Sequence, residues 1–367
     1  MRDLIDELSA WWETGENVAV ATVVATWNSA PRQPGSALVV GPEDSVVGSV
    51  SGGCVEGDVY SRAIAVRDGG VPVLQRYGVS DDDAFSVGLT CGGTIEIFVE
   101  QVGRETFPEL GEVLADVRCG RPVAVATVIA AESHRPGRRL IVRPESVTGS
   151  LGDADLDAAV LHEARGLLAQ GSSGVHRHAG DGGTTVFISS YAPRPRLIIF
   201  GAQDFAAALS RVGRELDYHV TVCDARATFA TAKRFPAADE VVVEWPHRYL
   251  ARTSVDERTA LCVLTHDAKF DVPLLDLALR LPVGYVGALG SRQTVADRLE
   301  QLRTRGVPAA ALAGLRAPIG LDLGARTPSE TAISIVAEIV AAGRGGSGRP
   351  LSVLTGPIHR PVGVSQR

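Results

Sequence analysis

Lysine is almost missing from this 367-residue chain. Lys233 and Lys269 are the only two, so nearly all of its 36 basic residues are arginine. That is the bias of a GC-rich genome and carries no functional message. A basic excess is missing too: 43 acidic residues give a net charge of −7, which argues against a broad nucleic-acid surface. No apolar run approaches a bilayer span. The charged start, Met1-Arg2-Asp3-Leu4-Ile5-Asp6, reads as an amphipathic helix rather than a signal peptide. A cytoplasmic protein is expected. No Cys-x-x-Cys pair and no Cys/His cluster at zinc spacing occurs, so no structural zinc is expected, and the five cysteines are expected to be reduced thiols.

What remains is ordinary globular composition, 45% hydrophobic and 22% charged, at a length that suggests two domains. Residues 1–191 carry short β runs at Val18–Thr26, Ala37–Val40, Thr94–Glu100, Pro122–Ala130, Arg139–Val142 and Thr184–Ser190. Helical patterns fall at Leu4–Trp12, Val55–Val66 and Leu156–Ala169. Ala192-Pro193-Arg194-Pro195 reads as a stiff linker, because proline fixes its own φ and restricts its predecessor. Over residues 192–345, apolar strands alternate with helices: Leu197–Phe200, Val220–Cys223, Glu240–Val243, Leu261–Leu264 and Val283–Val286. The fold expected is α/β: an N-terminal α+β domain of repeated units, then a Rossmann-like parallel sheet flanked by helices. Residues 346–367 read as a glycine-rich tail.

The first domain repeats itself. Val18-Ala19-Val20-Ala21-Thr22-Val23-Val24-Ala25 recurs as Val123-Ala124-Val125-Ala126-Thr127-Val128-Ile129-Ala130. Gly48-Ser49-Val50 answers Gly149-Ser150-Leu151, and Cys91-Gly92-Gly93-Thr94 answers Asp181-Gly182-Gly183-Thr184. Two related β-α-β units are expected. The second keeps the strands and turns but has neither Cys54 nor Cys91. Thiols needed for folding would be needed twice, so both cysteines are read as functional.

Each of those cysteines sits against a glycine pair, in Ser51-Gly52-Gly53-Cys54-Val55-Glu56 and Gly88-Leu89-Thr90-Cys91-Gly92-Gly93. Glycine pairs permit φ > 0 and close approach of a ligand. Cys54 falls at a helix start, where unpaired N–H groups and the helix dipole favour an anion. The same geometry would bind a phosphate. Glu56 either complements the dipole or handles a proton, and Arg32 could add positive charge. Cys119 reads as incidental, and Cys223 and Cys262 as core residues.

In the second domain, Gly201-Ala202-Gln203-Asp204-Phe205-Ala206 follows the first strand, where a dinucleotide fingerprint would read GxGxxG. Gln203 breaks that fingerprint, which counts against NAD(P). Asp224 ends the second strand near the position of a ribose-binding acid. Thr265-His266-Asp267 and Gly290-Ser291-Arg292 end later strands, and strand ends of an open parallel sheet share a crevice. Gly201, Asp224, His266, Asp267, Gly290, Ser291 and Arg292 are therefore ligand candidates, each with an alternative reading as a cap. Thr327-Pro328-Ser329-Glu330 reads as a capping box, and Asp322 before it could face the crevice.

Taken as a set, Gly48–Glu56, Gly88–Gly93, Tyr285–Arg292 and Ala317–Gly324 resemble the XdhC/CoxI family. That resemblance implies an accessory protein that binds molybdopterin (the molybdenum cofactor), supports its sulfuration with a cysteine desulfurase, and delivers it to a molybdenum hydroxylase such as xanthine or carbon monoxide dehydrogenase. It also implies a homodimer. Cys54, Cys91 and Glu56 would carry the chemistry, with Ser51, Gly52, Gly53, Gly92 and Gly93 shaping the site. The family loop Gly-Ala-Gly-His is replaced here by Gly201-Ala202-Gln203-Asp204. Two other readings remain at this point. One is an NAD(P)-binding oxidoreductase built on the second domain. The other is a thiol hydrolase or transferase using Cys54 with His134 or His266 as base. Nothing in the chain supplies an iron–sulfur cysteine set.

Overall fold

The computed structural model describes residues 4–27, 32–78, 93–131, 136–178 and 183–355. It divides into two compact units between Pro193 and Arg194. No helix among the described residues is long and apolar enough to cross a membrane.

In unit 1, the first repeat runs α1 (Ile5–Thr14), β1 (Val18–Trp27), β2 (Ala37–Val40), β3 (Val46–Gly48), α2 (Glu56–Arg67), β4 (Val73–Tyr77) and β5 (Thr94–Val102). The second runs α3 (Leu110–Arg118), β6 (Val123–Ala130), β7 (Arg139–Val142), β8 (Val147–Gly149), α4 (Ala154–Gln170), β9 (Gly174–His178) and β10 (Thr184–Tyr191). Each repeat forms a five-stranded antiparallel sheet, in the orders β3-β2-β1-β5-β4 and β8-β7-β6-β10-β9. The repeat is thus confirmed strand for strand. It is larger than the β-α-β unit expected, because the short edge strands β3, β4, β8 and β9 carry no strong apolar pattern.

The Val-Ala alternation of β1 and β6 explains the layering. Successive side chains of a strand point to opposite faces. Ala19, Ala21 and Val23 pack under α2 with Val55, Val59 and Ala63, and Ala124, Ala126 and Val128 pack under α4 with Leu156, Val160 and Ala164. Small alanines let each helix lie close to its sheet. The opposite faces meet one another through Val18, Val20, Val123 and Val125, and through Val24, Phe98, Ile129 and Phe187. The order is helix, sheet, sheet, helix. A small cavity of about 50 Å³ lies between the sheets. Its lining is nearly mirrored, but Glu100 stands opposite Val20 on the neighbouring strand where Ser189 stands opposite Val125. Glu100 pairs with Arg139 of the other repeat at 2.5 Å.

Unit 2 runs β11 (Arg196–Phe200), α5 (Asp204–Glu215), β12 (His219–Asp224), β13 (Glu240–Val243), α6 (Pro246–Arg252), β14 (Ala260–Val263), α7 (Ala268–Ala278), β15 (Tyr285–Ala288), α8 (Arg292–Thr304), α9 (Ala309–Ala313), β16 (Leu315–Arg316) and α10 (Pro328–Arg344). Its sheet is parallel in the order β13-β12-β11-β14-β15-β16, the Rossmann arrangement with a strand-order switch beside β11. The central strands are apolar on both faces, as a sheet covered by helices requires. The strand expected at Val283–Val286 lies at Tyr285–Ala288, since its pairing to β14 begins at Tyr285. The capping box at Thr327 and Glu330 is present. A short 3-10 turn at Leu351–Val353 lies in the stretch read as a tail.

Candidate functional site

Cys54 lies in a loop between β3 and α2 that is organised by one carboxylate. Glu56 Oε1 accepts from Ser49 Oγ at 2.8 Å, Ser51 N at 2.8 Å and Gly52 N at 2.9 Å. Its Oε2 accepts from Gly53 N at 2.8 Å and from Ser51 Oγ. Ser51 Oγ in turn accepts the N–H groups of Cys54 at 3.0 Å and Val55 at 3.1 Å. Partial burial alone would raise the Glu56 pKa, but the hydrogen bonds from Ser51, Ser49 and Gly53 outweigh it and lower the carboxyl from 4.5 to about 2. A carboxylate so held is a weak proton acceptor, and its geometry is that of a clamp. It also fills the anion position expected at the helix start, so the phosphate site expected beside Cys54 is already taken by the protein's own negative charge.

The clamp forces the backbone into a conformation that glycine supplies. Gly52 has φ +79 and Gly53 φ +123, and no atom lies within 4 Å of where a Cβ would project from either. The loop therefore turns an open side outward beside the half-buried Cys54. Cys91 and Gly92 lie outside the described residues, and Gly93 is buried just before β5.

The second repeat contains the counterpart. From Gly48 and Gly149 onward the two segments align without gaps, so Ser49 answers Ser150, Cys54 answers Asp155 and Glu56 answers Asp157. Asp157 accepts from Ser150 Oγ at 2.7 Å and Leu151 N at 2.7 Å. There α4 already begins at Ala154, capped by Asp153 through Leu156 N at 2.8 Å. In the first repeat α2 begins only at Glu56, so almost a full turn is unwound, and Cys54 sits in that unwound turn. The two repeats share this serine-x6-acid spacing, Ser49 to Glu56 and Ser150 to Asp157.

The other thiols are placed as expected. Cys119 is exposed, whereas Cys223 and Cys262 are buried strand residues. Burial pushes the Cys223 thiol up to about 12 and raises Cys262 as well, which keeps both protonated and unreactive.

In unit 2 the polar residues at the strand ends are drawn together by internal bonds. Asp224 is buried and accepts Ala202 N at 2.8 Å, with Arg226 N and Nε both at 2.9 Å. Burial opposes its charge, but these bonds hold its carboxyl below the usual range. All of its bonding is internal, so it is not placed to take a ribose hydroxyl. The Gln203 amide reaches across to Leu264 O. Gly201 has φ +113 and packs so that a Cβ would lie 3.0 Å from Thr265. Asp267 caps α7 through Lys269 N at 3.1 Å, and Ser291 caps α8 through Thr294 N at 3.1 Å. His266 and Gly290 sit in the same two loops and Arg292 opens α8, with His266 and Arg292 exposed. Buried Arg298, which no sequence motif singles out, ties those loops together: it donates to Leu289 O at 2.6 Å and Thr265 O at 3.2 Å, and pairs with Asp271. Among the described residues no group of His, Cys, Asp or Glu could hold a metal ion.

A paired antiparallel repeat bearing one open thiol loop, joined to a Rossmann sheet, defines the class of this protein. The chain belongs to the XdhC and CoxI family, whose sequence profile matches residues 11–78 and 117–179. Those two stretches are corresponding parts of the two repeats. The profile of the XdhC Rossmann domain matches residues 197–339. The chain is similar to a Bacillus subtilis protein named as a probable xanthine dehydrogenase subunit, at 30% identity over 335 residues, covering 91% of this chain and 95% of that one. It is also similar to the molybdenum cofactor insertion chaperone PaoD of Escherichia coli, at 25% identity over 328 residues, covering 89% and 84%. A crystal structure described as a xanthine dehydrogenase from Bacillus halodurans matches with TM-score 0.70 and 25% identity, covering 96% of this chain and 97% of that one.

Proposed function

We propose that this protein is a maturation factor for molybdenum hydroxylases, which holds the molybdenum cofactor as cargo and hands it to an apo-enzyme of the xanthine dehydrogenase type. The observation that carries the reading is the unwound turn at Cys54, present in one repeat and absent from its sister. A soft sulfur ligand suits a molybdenum–sulfur centre, and the open side at Gly52 and Gly53 leaves room beside it for a planar pterin. Because Glu56 occupies the helix start, the pterin phosphate is received away from that turn. Cys91 is the second thiol of this reading. Sulfuration of the cargo by a cysteine desulfurase, a homodimeric assembly and a cytoplasmic location belong to the same proposal. Similarity to the insertion chaperone PaoD supports it.

The test is what co-purifies. Protein isolated from a cofactor-replete host is expected to carry pterin fluorescence and molybdenum in equal proportion. Protein free of both, which also fails to retain added cofactor on gel filtration, would overturn the reading.

The NAD(P)-dependent oxidoreductase remains a second reading because the strand order of unit 2 is that of dinucleotide-binding folds. Gln203 and the Asp204 carboxylate at the start of α5 count against a pyrophosphate there. Hydride transfer to or from a nicotinamide by the purified protein alone would establish it.

A further inference from the structure

The loop leaving β12 carries an aromatic and cationic rim that neither the thiol site nor the cargo reading uses. Buried Asp224 grips Arg226 at both ends of its fork, Nε at 2.9 Å and Nη2 at 2.8 Å. This fixes a guanidinium whose side chain is still 52% exposed. It lies 4.7 Å from the centroid of the Phe229 ring, and the Arg234 guanidinium lies 5.6 Å from the same centroid. The Phe229 side chain is 41% exposed. The loop itself is pinned. Phe235 is buried, and turns close through Ala230 N to Arg226 O at 3.1 Å and Phe235 N to Thr231 O at 3.2 Å. Arg234 lies 3.8 Å from Asp204 and donates at the long distance of 3.4 Å to Ala202 O and Phe229 O. Exposed Lys233, one of the two lysines in the whole chain, adjoins it.

The place of this rim in the fold gives it meaning. At the end of the second strand of a Rossmann sheet, an acid contacts ribose hydroxyls and a nearby arginine accommodates a ribose phosphate. Here the acid is spent on orienting the arginine, which leaves the phosphate-binding half of that arrangement. The adjoining pyrophosphate half is obstructed, because the Gln203 side chain spans to Leu264 O and Asp204 sets a negative charge in the first turn of α5.

We propose that the rim binds a nucleotide bearing a phosphate monoester. Arg226 and Arg234 take the phosphate, the heterocycle stacks on the exposed aromatic–guanidinium surface, and a pyrophosphate bridge gains nothing. Planar guanidiniums suit both tasks. The site lies wholly within unit 2, so this inference and the cargo reading stand or fall separately.

The test is calorimetric titration of the full chain at low salt with adenosine 2′-monophosphate, adenosine, inorganic phosphate and NADP. The nucleotide is expected to bind, with adenosine and inorganic phosphate each weaker by about tenfold or more, equivalent to about 1.4 kcal/mol. NADP is expected to bind no tighter than the mononucleotide. Arg234→Gln is expected to weaken the nucleotide by about tenfold, and Phe229→Leu by several-fold, with thermal melts confirming that both variants fold. Arg226 is left intact, because its removal would strand the buried Asp224 charge. Equal binding of inorganic phosphate, an unchanged affinity in Arg234→Gln, or NADP binding more than tenfold tighter than the mononucleotide would each overturn the proposal.

Discussion

The two halves of unit 1 are near copies that differ where chemistry is expected. Both place a serine hydroxyl and a backbone N–H on an acid at the start of the helix, Glu56 in one and Asp157 in the other. In the second half that acid sits inside a helix that starts on time. In the first, a longer carboxylate collects five donors, two glycines accept positive φ, and the turn that would have been helix becomes a loop carrying Cys54. The sister repeat is an internal control: the same sheet and helix fold without the unwound turn. The turn is therefore not a requirement of the architecture, which is the physical reason to assign it a function.

The largest effect is expected where the mirrored packing is broken by charge. Glu100 and Arg139 are buried against each other, with side chains 14% and 7% exposed. Arg139→Met should cost about 3–5 kcal/mol in chemical denaturation, because it strands a buried carboxyl, whereas Glu100→Met with Arg139→Met should recover most of the loss. Equal losses in the single and double variants would contradict that account.

Next come the two clamps. Glu56→Ala and Asp157→Ala should each lower stability by about 1–2 kcal/mol through lost hydrogen bonds, yet only Glu56→Ala should reduce cofactor retention. Equal loss of retention in both would erase the distinction between the repeats. The Glu56 contribution also has a pH signature. Its folded pKa is depressed to about 2 from 4.5, so its stabilisation is complete above 4.5 and is lost as pH falls toward 2. The stability gap between wild type and Glu56→Gln should narrow across that window and stay constant from about pH 5 to pH 7.

A smaller effect separates the thiols. Brief alkylation of the native protein followed by peptide mass analysis should label Cys54 and Cys119 and spare Cys223 and Cys262. Labelling of the buried pair at a comparable rate would contradict the packing described for unit 2.

Much of this was legible in the chain. The repeat stood in Val18–Ala25 and Val123–Ala130 because strands buried on both faces must be apolar throughout. The Rossmann alternation stood in Leu197–Phe200 and its successors for the same reason. The edge strands β3, β4, β8 and β9 did not, since exposed or short strands leave weak periodicity. Cap residues such as Asp267 and Ser291 were readable as caps. Asp224 and Glu56 were harder: what occupies their oxygens is set by backbone N–H groups that only a folded loop brings together, so the sequence left Asp224 open between a ribose ligand and a turn cap, and Glu56 open between complementing the helix dipole and handling a proton.

The most direct test of the central claim is cofactor retention by Cys54→Ala. Cys54 is only half-buried, so the variant should lose less than about 1 kcal/mol of stability. Loaded beside wild type and followed by pterin fluorescence on gel filtration, it should lose most of its cargo, while Asp155→Ala, at the matching position of the sister repeat, should keep it. Undiminished, stoichiometric retention by Cys54→Ala would contradict the assignment of the unwound turn to cargo binding.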